Sequence, residues 1–325
     1  MDCDYGETQS FLHALETGDL EEIRKVPKAD LHNHFALGGE REYLYKKTGT
    51  RIHPLCRPVS SFSAMDEWSR RYLSGFDSPE GRALLVEAAF VQAHQDGIKI
   101  LEIGEDIWGL AEYFGNKPEK LMGSFVSSRN RFAPDTQLRL QIGLSRHCAV
   151  KDLQRWLEPF WGRREFYSID LYGDELAQPI EQFVPIYRRA KSEGLVLKAH
   201  LGEYGTAEDV QKGVELLELD EVQHGIAAVT QEKTLRFLAD HHIRLNVAPT
   251  SNWILGRVPS LKEHPIAQLL RSGVEVTINS DDVLIFDSDV SKEYLRLYQS
   301  GVLTAEELDQ IRRTGLSPAK SNRVL

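Results

Sequence analysis

Short apolar runs alternate with longer amphipathic segments along most of the chain. Runs that are apolar on both faces are typical of strands inside a parallel sheet. Eight are found, at 28–31, 98–103, 138–144, 166–171, 196–199, 221–223, 243–247 and 274–278. Helix-like segments separate most of them, at 118–131, 149–159, 178–193, 206–218, 230–241 and 261–272. The pattern therefore predicts an α/β fold built from parallel strands and crossover helices.

Eight strand–helix units in a chain of 325 residues predict a closed (β/α)8 barrel of the TIM type. An open, doubly wound sheet is the structural alternative, but no G-x-G-x-x-G turn follows any predicted strand. No linker divides the chain, so residues 1–325 are expected to form one barrel domain. Additional helices are expected at the N-terminus, over 1–25, and in an insertion after the first strand, over 40–125. The insertion is interpreted either as a lid over a pocket or as a peripheral helical layer.

Ionisable or small polar residues follow every predicted strand at its carboxyl end. They are His32 and His34, Gly104-Glu105-Asp106, Arg146-His147, Asp170 to Glu175, His200 to Glu203, His224-Gly225, Pro249 to Asn252, and Asn279 to Asp282. In a barrel, the carboxyl ends of all strands meet at one rim, where the active sites of this fold lie. Packing alone explains so many coincident polar ends poorly, so we interpret the rim as a functional site.

Two histidines one residue apart, His32 and His34, project to the same side of an extended chain. Such a pair is common on surfaces, but at a barrel rim it can be joined by His200 and by Asp281 or Asp282. Three imidazoles and a carboxylate suit a zinc-like ion and leave a position for water, whose pKa the ion lowers. Adjacent strand residues point in opposite directions, so we expect one aspartate to bind metal and the other to face the substrate.

Two further rim residues can handle protons. Glu203 lies three residues beyond His200, where a strand gives way to a turn, and can act as a proton carrier. His224 is an imidazole that need not bind metal, and it can take a proton from the water or stabilise hydroxide. Each of these residues, considered singly, could equally be a hydrogen-bonded polar group at a strand end.

The composition of the chain limits which partners and which cellular compartment we expect. The chain is 41% hydrophobic and 27% charged, with a net charge of −10 and a pI near 5.6, which argues against nucleic acid or an anionic membrane as partner. Its three cysteines, Cys3, Cys56 and Cys148, are widely spaced without a C-x-x-C pair, which favours a reducing, cytoplasmic compartment. We also find no apolar stretch long enough for a membrane span and no secretory signal.

The order of the rim motifs resembles that of the adenosine deaminase family of the amidohydrolase superfamily, from about residue 26 to the end. The matching motifs are His32-Asn33-His34, Asp170-Leu171-Tyr172-Gly173-Asp174-Glu175, His200-Leu201-Gly202-Glu203-Tyr204-Gly205, His224-Gly225, Pro249-Thr250-Ser251-Asn252 and Asn279-Ser280-Asp281-Asp282. Five ordered matches beyond the first motif make the resemblance specific.

The resemblance implies a zinc-dependent hydrolase of purine metabolism that deaminates an aminopurine, a small-molecule substrate. One Zn²⁺ would be held by four residues, His32, His34, His200 and Asp281. Glu203 would protonate a ring nitrogen, and His224 would orient and deprotonate the metal-bound water. Asp282 would accept a hydrogen bond from the water or from another ring nitrogen, and Gly173 would donate its backbone N–H to the base. Hydroxide would add to the amino-bearing carbon, and ammonia would leave.

Two departures from the family pattern concern substrate recognition and leave the metal residues in place. Ala36 stands where adenosine deaminases commonly carry an aspartate that holds the ribose, and Gly104-Glu105-Asp106 stands where an Arg and a Pro are often found. The substrate therefore stays open among adenosine, free or modified adenine, another aminopurine nucleoside and less related compounds.

Two other interpretations are retained. One is a metal hydrolase acting on a different amine, amide, amidine or phosphoester. Many two-metal relatives use a carboxylated lysine at the end of the fourth strand, where this chain has Asp170 and Gly173. The other is a non-catalytic binding protein derived from the fold. Loss of catalysis should damage the site, whereas every expected catalytic position is filled.

Overall fold

The structure, a computed structural model, describes residues 2–55, 57–59 and 63–319. Eight strands form one sheet in chain order, and each pairs in parallel with the next. Their bounds are Lys28–His34 (β1), Ile98–Asp106 (β2), Gln137–Ser145 (β3), Phe166–Tyr172 (β4), Val196–Leu201 (β5), Glu221–His224 (β6), Arg244–Val247 (β7) and Glu275–Ile278 (β8). Asp281 N donates to His32 O at 2.9 Å, which links the end of β8 to β1. The fold is a nearly closed (β/α)8 barrel, as the alternation predicts.

Helices cover the outside of the barrel and extend beyond it. In the described residues they are Asp2–Thr17 (α1), Leu20–Lys25 (α2), Arg41–Thr48 (α3), Ser63–Leu73 (α4), Pro79–Gln95 (α5), Gly109–Phe114 (α6), Pro118–Phe132 (α7), Val150–Leu157 (α8), Val184–Ser192 (α9), Ala207–Leu217 (α10), Glu232–Asp240 (α11), Pro249–Ile254 (α12), Ile266–Arg271 (α13), Val283–Phe286 (α14), Val290–Ser300 (α15) and Ala305–Leu316 (α16). α1 to α4 include the additional helices expected before and after the first strand. None of the helices described is long and apolar enough to cross a bilayer.

Several strands run further toward the rim than their apolar residues predict. β1 extends to His34, β2 to Asp106 and β6 to His224, because backbone pairing with the neighbouring strands continues beyond the apolar run. The stretch from 40 to 125 includes β2 as well as helices, so the extra helical part before α5 consists of α3, α4 and a 3₁₀ turn over Ser74–Phe76. The polar residues at the ends of these strands therefore belong to backbone that is hydrogen-bonded to the neighbouring strand.

Charged side chains fill the barrel interior one layer below the rim. Lys198 Nζ lies 2.8 Å from carboxylate oxygens of both Glu102 and Glu221, and all three side chains are buried. Burial alone would lower the pKa of Lys198, but the two carboxylates raise it, so the lysine stays charged. This layer lies two residues before His200 along β5 and supports the floor of the rim from below.

Capping residues determine where helices begin after the rim loops. Thr206 accepts a hydrogen bond from Asp209 N, and the Asp209 side chain accepts one from Thr206 N, so a capping box starts α10. Ser78 caps α5, and Pro79 occupies its first turn. The capping box also fixes the end of the loop that carries Glu203.

Candidate active site

The rim residues predicted from the sequence meet around one cavity of about 560 Å³. Its wall includes side chains from the ends of β1, β5, β6 and β8 and the backbone after β4, namely His34, His200, Glu203, His224, Asp281, Asp282 and Gly173. His32 is buried beneath them. Arg146, after β3, turns elsewhere, because its guanidinium donates to Gln178 O at 3.0 and 2.8 Å. The barrel therefore brings the predicted metal-binding, catalytic and substrate-binding residues together.

Three imidazoles and one carboxylate converge at the floor of the cavity. Nitrogen atoms of His32, His34 and His200 lie within 4.8 Å of one another. Asp281 Oδ1 lies 3.5 Å from His34 Nε2 and 3.6 Å from His32 Nε2. These four residues are the predicted metal ligands, and they come from β1, β5 and the loop after β8.

Hydrogen bonds on the outer side of two imidazoles leave their inner nitrogens free for a metal. His32 Nδ1 lies 3.1 Å from Asn246 O, and His200 Nδ1 lies 3.4 Å from Asp170 Oδ1. Both partners are acceptors, so in the neutral rings each Nδ1 carries the proton and each Nε2 presents a lone pair. The two Nε2 atoms are then 3.1 Å apart without a proton between them. A bound cation relieves this repulsion, so the site fits a zinc-like ion.

Burial and charge tune the ionisable groups around this cluster. Burial lowers the pKa of His32 to about 3 and that of His34 to about 4, which favours the neutral rings that metals bind. For His200 burial acts in the same direction, but Asp170 outweighs it and raises the pKa. Burial would raise the pKa of Asp170, but His200 and its neighbours lower it to about 2. Asp170 is therefore a carboxylate held against the His200 ring.

Three acids that line the cavity each have one carboxyl oxygen without a hydrogen-bond partner among the described residues, Glu105 Oε2, Glu203 Oε1 and Asp282 Oδ1. Glu203 and Asp282 lie beside the histidine cluster. Glu203 Oε1 lies 3.7 Å from His224 Nε2. Burial and the charge of Asp281 raise the pKa of Glu203 to about 8, and the same two causes raise that of Asp282 well above its usual range. Buried polar atoms without partners are uncommon, so these oxygens of Glu203 and Asp282 are available to a ligand.

Glu175 organises the loop that carries Glu203. Its carboxylate accepts hydrogen bonds from four consecutive backbone N–H groups, of residues 202 to 205, at 2.6, 3.0, 2.9 and 3.0 Å. Four donors on one buried carboxylate hold the loop rigidly. The position of Glu203 in the cavity is therefore set by a residue after β4.

Two site residues have left-handed backbone, His224 with φ +64° and Asp281 with φ +56°. For residues other than glycine, such backbone costs about 1–3 kcal/mol and is concentrated at functional sites. The left-handed backbone at Asp281 also corrects the expectation that Asp281 and Asp282 point in opposite directions. β8 ends at Ile278, and the turn at Asp281 breaks the strand alternation. Both side chains line the cavity.

The outer wall of the cavity contains both departures from the family pattern. Ala36 lies in this wall, and Glu105 Oε1 pairs with Arg82 Nη2 at 3.0 Å in a largely buried ion pair. The Arg82 guanidinium lies 5.0 Å from the centre of the Phe35 ring and 4.5 Å from that of Tyr113. The second strand thus contributes acids, while the positive charge beside them comes from α5.

Several residues that shape the site were given no role by the sequence motifs. Asp170 is a charged residue inside an apolar strand. Because charged residues are rarely buried without a partner, its position in the sequence could have predicted a contact with another polar site residue. Arg82 lies in a helix and His264 in a loop, and no local pattern marks either of them. Their contribution depends on contacts that only the folded chain creates.

Comparisons with known proteins agree with the order of the motifs and with the fold. The family model described as "Adenosine deaminase" matches residues 27–322. A putative adenosine/adenine deaminase of Treponema pallidum (strain Nichols) is 33% identical over 297 residues, which cover 90% of this chain and 99% of that protein. The crystal structure of an adenine deaminase from Arthrobacter aurescens has a TM-score of 0.76 at 21% identity and covers 90% of this chain and 94% of its own. An amidohydrolase from Burkholderia ambifaria, solved with bound Zn, has a TM-score of 0.76 at 22% identity, and the match covers 90% of this chain and 85% of that one. At these identities the two structures support the fold.

Replacing the carboxylate at the floor tests the metal cluster. We expect Asp281→Ala to lower the affinity for Zn²⁺ by at least about tenfold, because one of four donors is lost. Competition with a chromophoric chelator measures the affinity, and metal content after dialysis checks it. The control is Asp174→Ala, a carboxylate that accepts from Leu176 N, and it should keep the metal. Equal retention in both variants would contradict the role of Asp281 as a ligand.

Proposed function

The chain belongs to the adenosine deaminase family, and on that premise we propose that it is a zinc-dependent hydrolytic deaminase of an aminopurine. The substrate is adenosine or an adenine-type base or nucleoside, and the product carries oxygen in place of the released ammonia. One observation carries the proposal. Three imidazoles and a carboxylate share one cavity with two acids, Glu203 and Asp282, whose inward oxygens have no hydrogen-bond partner among the described residues.

The metal would be held by His32, His34, His200 and Asp281, with Asp170 and Asn246 orienting two of the rings. When bound, zinc lowers the pKa of a water molecule toward neutrality, so that a nucleophile is available at pH 7. The bound Zn of the Burkholderia ambifaria amidohydrolase supports this choice of ion.

Residues of the cavity wall would carry out proton transfer and bind the purine. Glu203, with its raised pKa, holds a proton and delivers it to a ring nitrogen next to the amino-bearing carbon, which makes that carbon more electrophilic. Asp282 accepts a hydrogen bond from the water or from another ring nitrogen. His224 orients the water through Nε2, and the Gly173 N–H donates to the base. The water oxygen bonds to the carbon, one water proton passes to the amino nitrogen, the C–N bond breaks, and the nitrogen leaves as ammonia. The second water proton replaces the one that Glu203 gave to the ring.

The cavity wall bears on the choice among aminopurines. Ala36 presents no carboxylate to a ribose, so the contact by which family members hold the sugar is missing. The Arthrobacter aurescens and Treponema pallidum proteins carry names that include adenine. Both points favour an adenine-type base over adenosine itself. We further propose a reducing, cytoplasmic setting, which is supported by the free thiol of Cys148. Cys56 lies outside the described residues.

Ammonia release tests the function directly. Zinc-loaded protein is assayed against adenine, N-substituted adenines, adenosine, adenine nucleotides, other aminopurines and pterins. We expect ammonia from an adenine-type compound, its loss on chelation and its return with Zn²⁺. The metal content of the same sample is the control. Bound metal without ammonia from any of these compounds would contradict the aminopurine proposal and favour the hydrolysis of another amine, amide or amidine.

Replacing Glu203 tests its role as the proton carrier. We expect Glu203→Gln to keep its metal and lose turnover by roughly 10²–10⁴-fold, since only the proton carrier is removed. Glu215→Gln, an exposed residue on α10, is the matched control and should match the unaltered enzyme. Steady-state ammonia release and metal content are measured together. Turnover close to that of the control would remove Glu203 from the mechanism.

We propose that α4 and the following 3₁₀ turn act as a lid. Met65, Ser69, Leu73 and Ser74 lie at the cavity, and Arg70 and Arg71 are exposed on the same helix. A transition-state analogue should therefore slow tryptic cleavage after Arg70 and Arg71, while cleavage after Arg236, exposed on α11, stays unchanged. Mass spectrometry of timed digests measures both. Identical cleavage at α4 with and without the analogue would rule out closure.

A further inference from the structure

A buried chain of hydrogen bonds runs from the start of α13 to His224. Ile266 N lies 3.1 Å from His264 Nδ1, His264 Nε2 lies 3.2 Å from Asn252 Oδ1, and Asn252 Nδ2 lies 3.0 Å from His224 Nδ1. His224, Asn252 and His264 are each at most 2% exposed. Neither Asn252 nor His264 lines the cavity, so these two residues reach the site through His224.

The direction of the chain follows from its first member. A backbone N–H can only donate, so His264 Nδ1 accepts from Ile266. Burial lowers the pKa of His264 to about 3, so the ring is neutral and its proton is on Nε2. That proton is donated to Asn252 Oδ1, which turns the amide Nδ2 toward His224 and makes His224 Nδ1 an acceptor.

Reversal of the Asn252 amide is opposed by His264. The reversed amide would set Nδ2 against the protonated Nε2 of His264, and two donors would face each other in a buried place. The residue is also fixed by its backbone, because its carbonyl accepts from Arg257 N at 2.8 Å and Val258 N at 3.3 Å. The backbone therefore fixes where Asn252 lies, and His264 sets the orientation of its amide.

We propose that His264 and Asn252 are positioning residues that hold neutral His224 with its proton on Nε2, so that His224 donates a hydrogen bond into the cavity. This role rests on the proposed function. His224 Nε2 lies 3.7 Å from Glu203 Oε1 and 3.9 Å from Asp281 Oδ2, where a water or substrate oxygen can accept from it. With no lone pair at Nε2, His224 orients that oxygen and stabilises negative charge on it. This proposal departs from the role that the family resemblance implies, since His224 then does not remove a proton from the water.

A spectroscopic measurement tests the proton position without any substrate. Zinc-loaded protein labelled with ¹⁵N-histidine is examined by long-range ¹H–¹⁵N correlation, in which protonated and unprotonated ring nitrogens are clearly separated. A His264→Gln spectrum and a His224→Gln spectrum assign the two rings. We expect His224 Nε2 and His264 Nε2 to be protonated and both Nδ1 atoms unprotonated. A protonated His224 Nδ1 overturns the proposal.

Three variants separate hydrogen bonding from packing. Asn252→Asp replaces the donor that faces His224 with an acceptor, which moves the His224 proton to Nδ1, and kcat should fall by roughly 10²–10⁴-fold, as for a triad histidine in the wrong tautomer. His264→Leu removes the restraint on the Asn252 amide, and kcat should fall by roughly 10–100-fold with KM little changed. His264→Gln can accept from Ile266 N and donate to Asn252, so it should restore most of kcat.

A buried hydroxyl outside the hydrogen-bond chain provides the control. Thr234→Val removes a buried hydroxyl on α11 that donates to Ala207 O at 3.4 Å, away from the cavity, and should leave kcat unchanged. If His264→Gln is as impaired as His264→Leu, or if Asn252→Asp keeps the His224 proton on Nε2, the chain does not set the tautomer. If no variant or wild type releases ammonia, the proposed function fails, and the spectra alone decide on the positioning role.

Discussion

The site depends on the closure of the barrel between its first and last strands. Asp281 N donates to His32 O, and Leu31 N donates to Asn279 Oδ1, so the loop after β8 is fastened to β1 beside the two histidines. Without that contact the proposed metal site would lose its carboxylate, since Asp281 lies about 250 residues after His32 and His34 along the chain. Closure also places His200 across from His32, because β5 lies on the opposite side of the ring.

The sequence predicts those features that follow from local periodicity. The apolar runs locate all eight strands, and the spacing of His32 and His34 places both side chains on one side. The same rule fails at Asp281 and Asp282, where the chain has left the strand and a left-handed residue turns both carboxylates inward. Arg82 and His264 are missed for a different reason. Their roles depend on which helix or loop the barrel packs beside the rim, and no short-range pattern contains that information.

Burial gives the polar groups of this cavity their functional character. Glu175 holds the Glu203 loop through four backbone N–H groups, which leaves Glu203 Oε1 inside the cavity without a partner among the described residues. A carboxyl group in that position favours its protonated form, because burial and the neighbouring Asp281 both disfavour a second negative charge. Glu175 thus serves as a hydrogen-bond acceptor that shapes the loop, and this leaves Glu203 in place for the proton-carrying role that we propose for it.

The tautomer of each cavity histidine depends on the hydrogen-bond partner of its Nδ1 atom. His32 and His200 have acceptors at Nδ1, the Asn246 carbonyl and the Asp170 carboxylate, so their Nε2 lone pairs face inward as ligands require. His224 has an amide donor at Nδ1, and its inward nitrogen therefore carries a proton. Distance alone would allow His224 to join His32 and Asp281 around an ion. A protonated nitrogen cannot coordinate a metal. In the proposed mechanism the outer hydrogen bonds would therefore select His32 and His200 as ligands and leave His224 to contact the reacting oxygen.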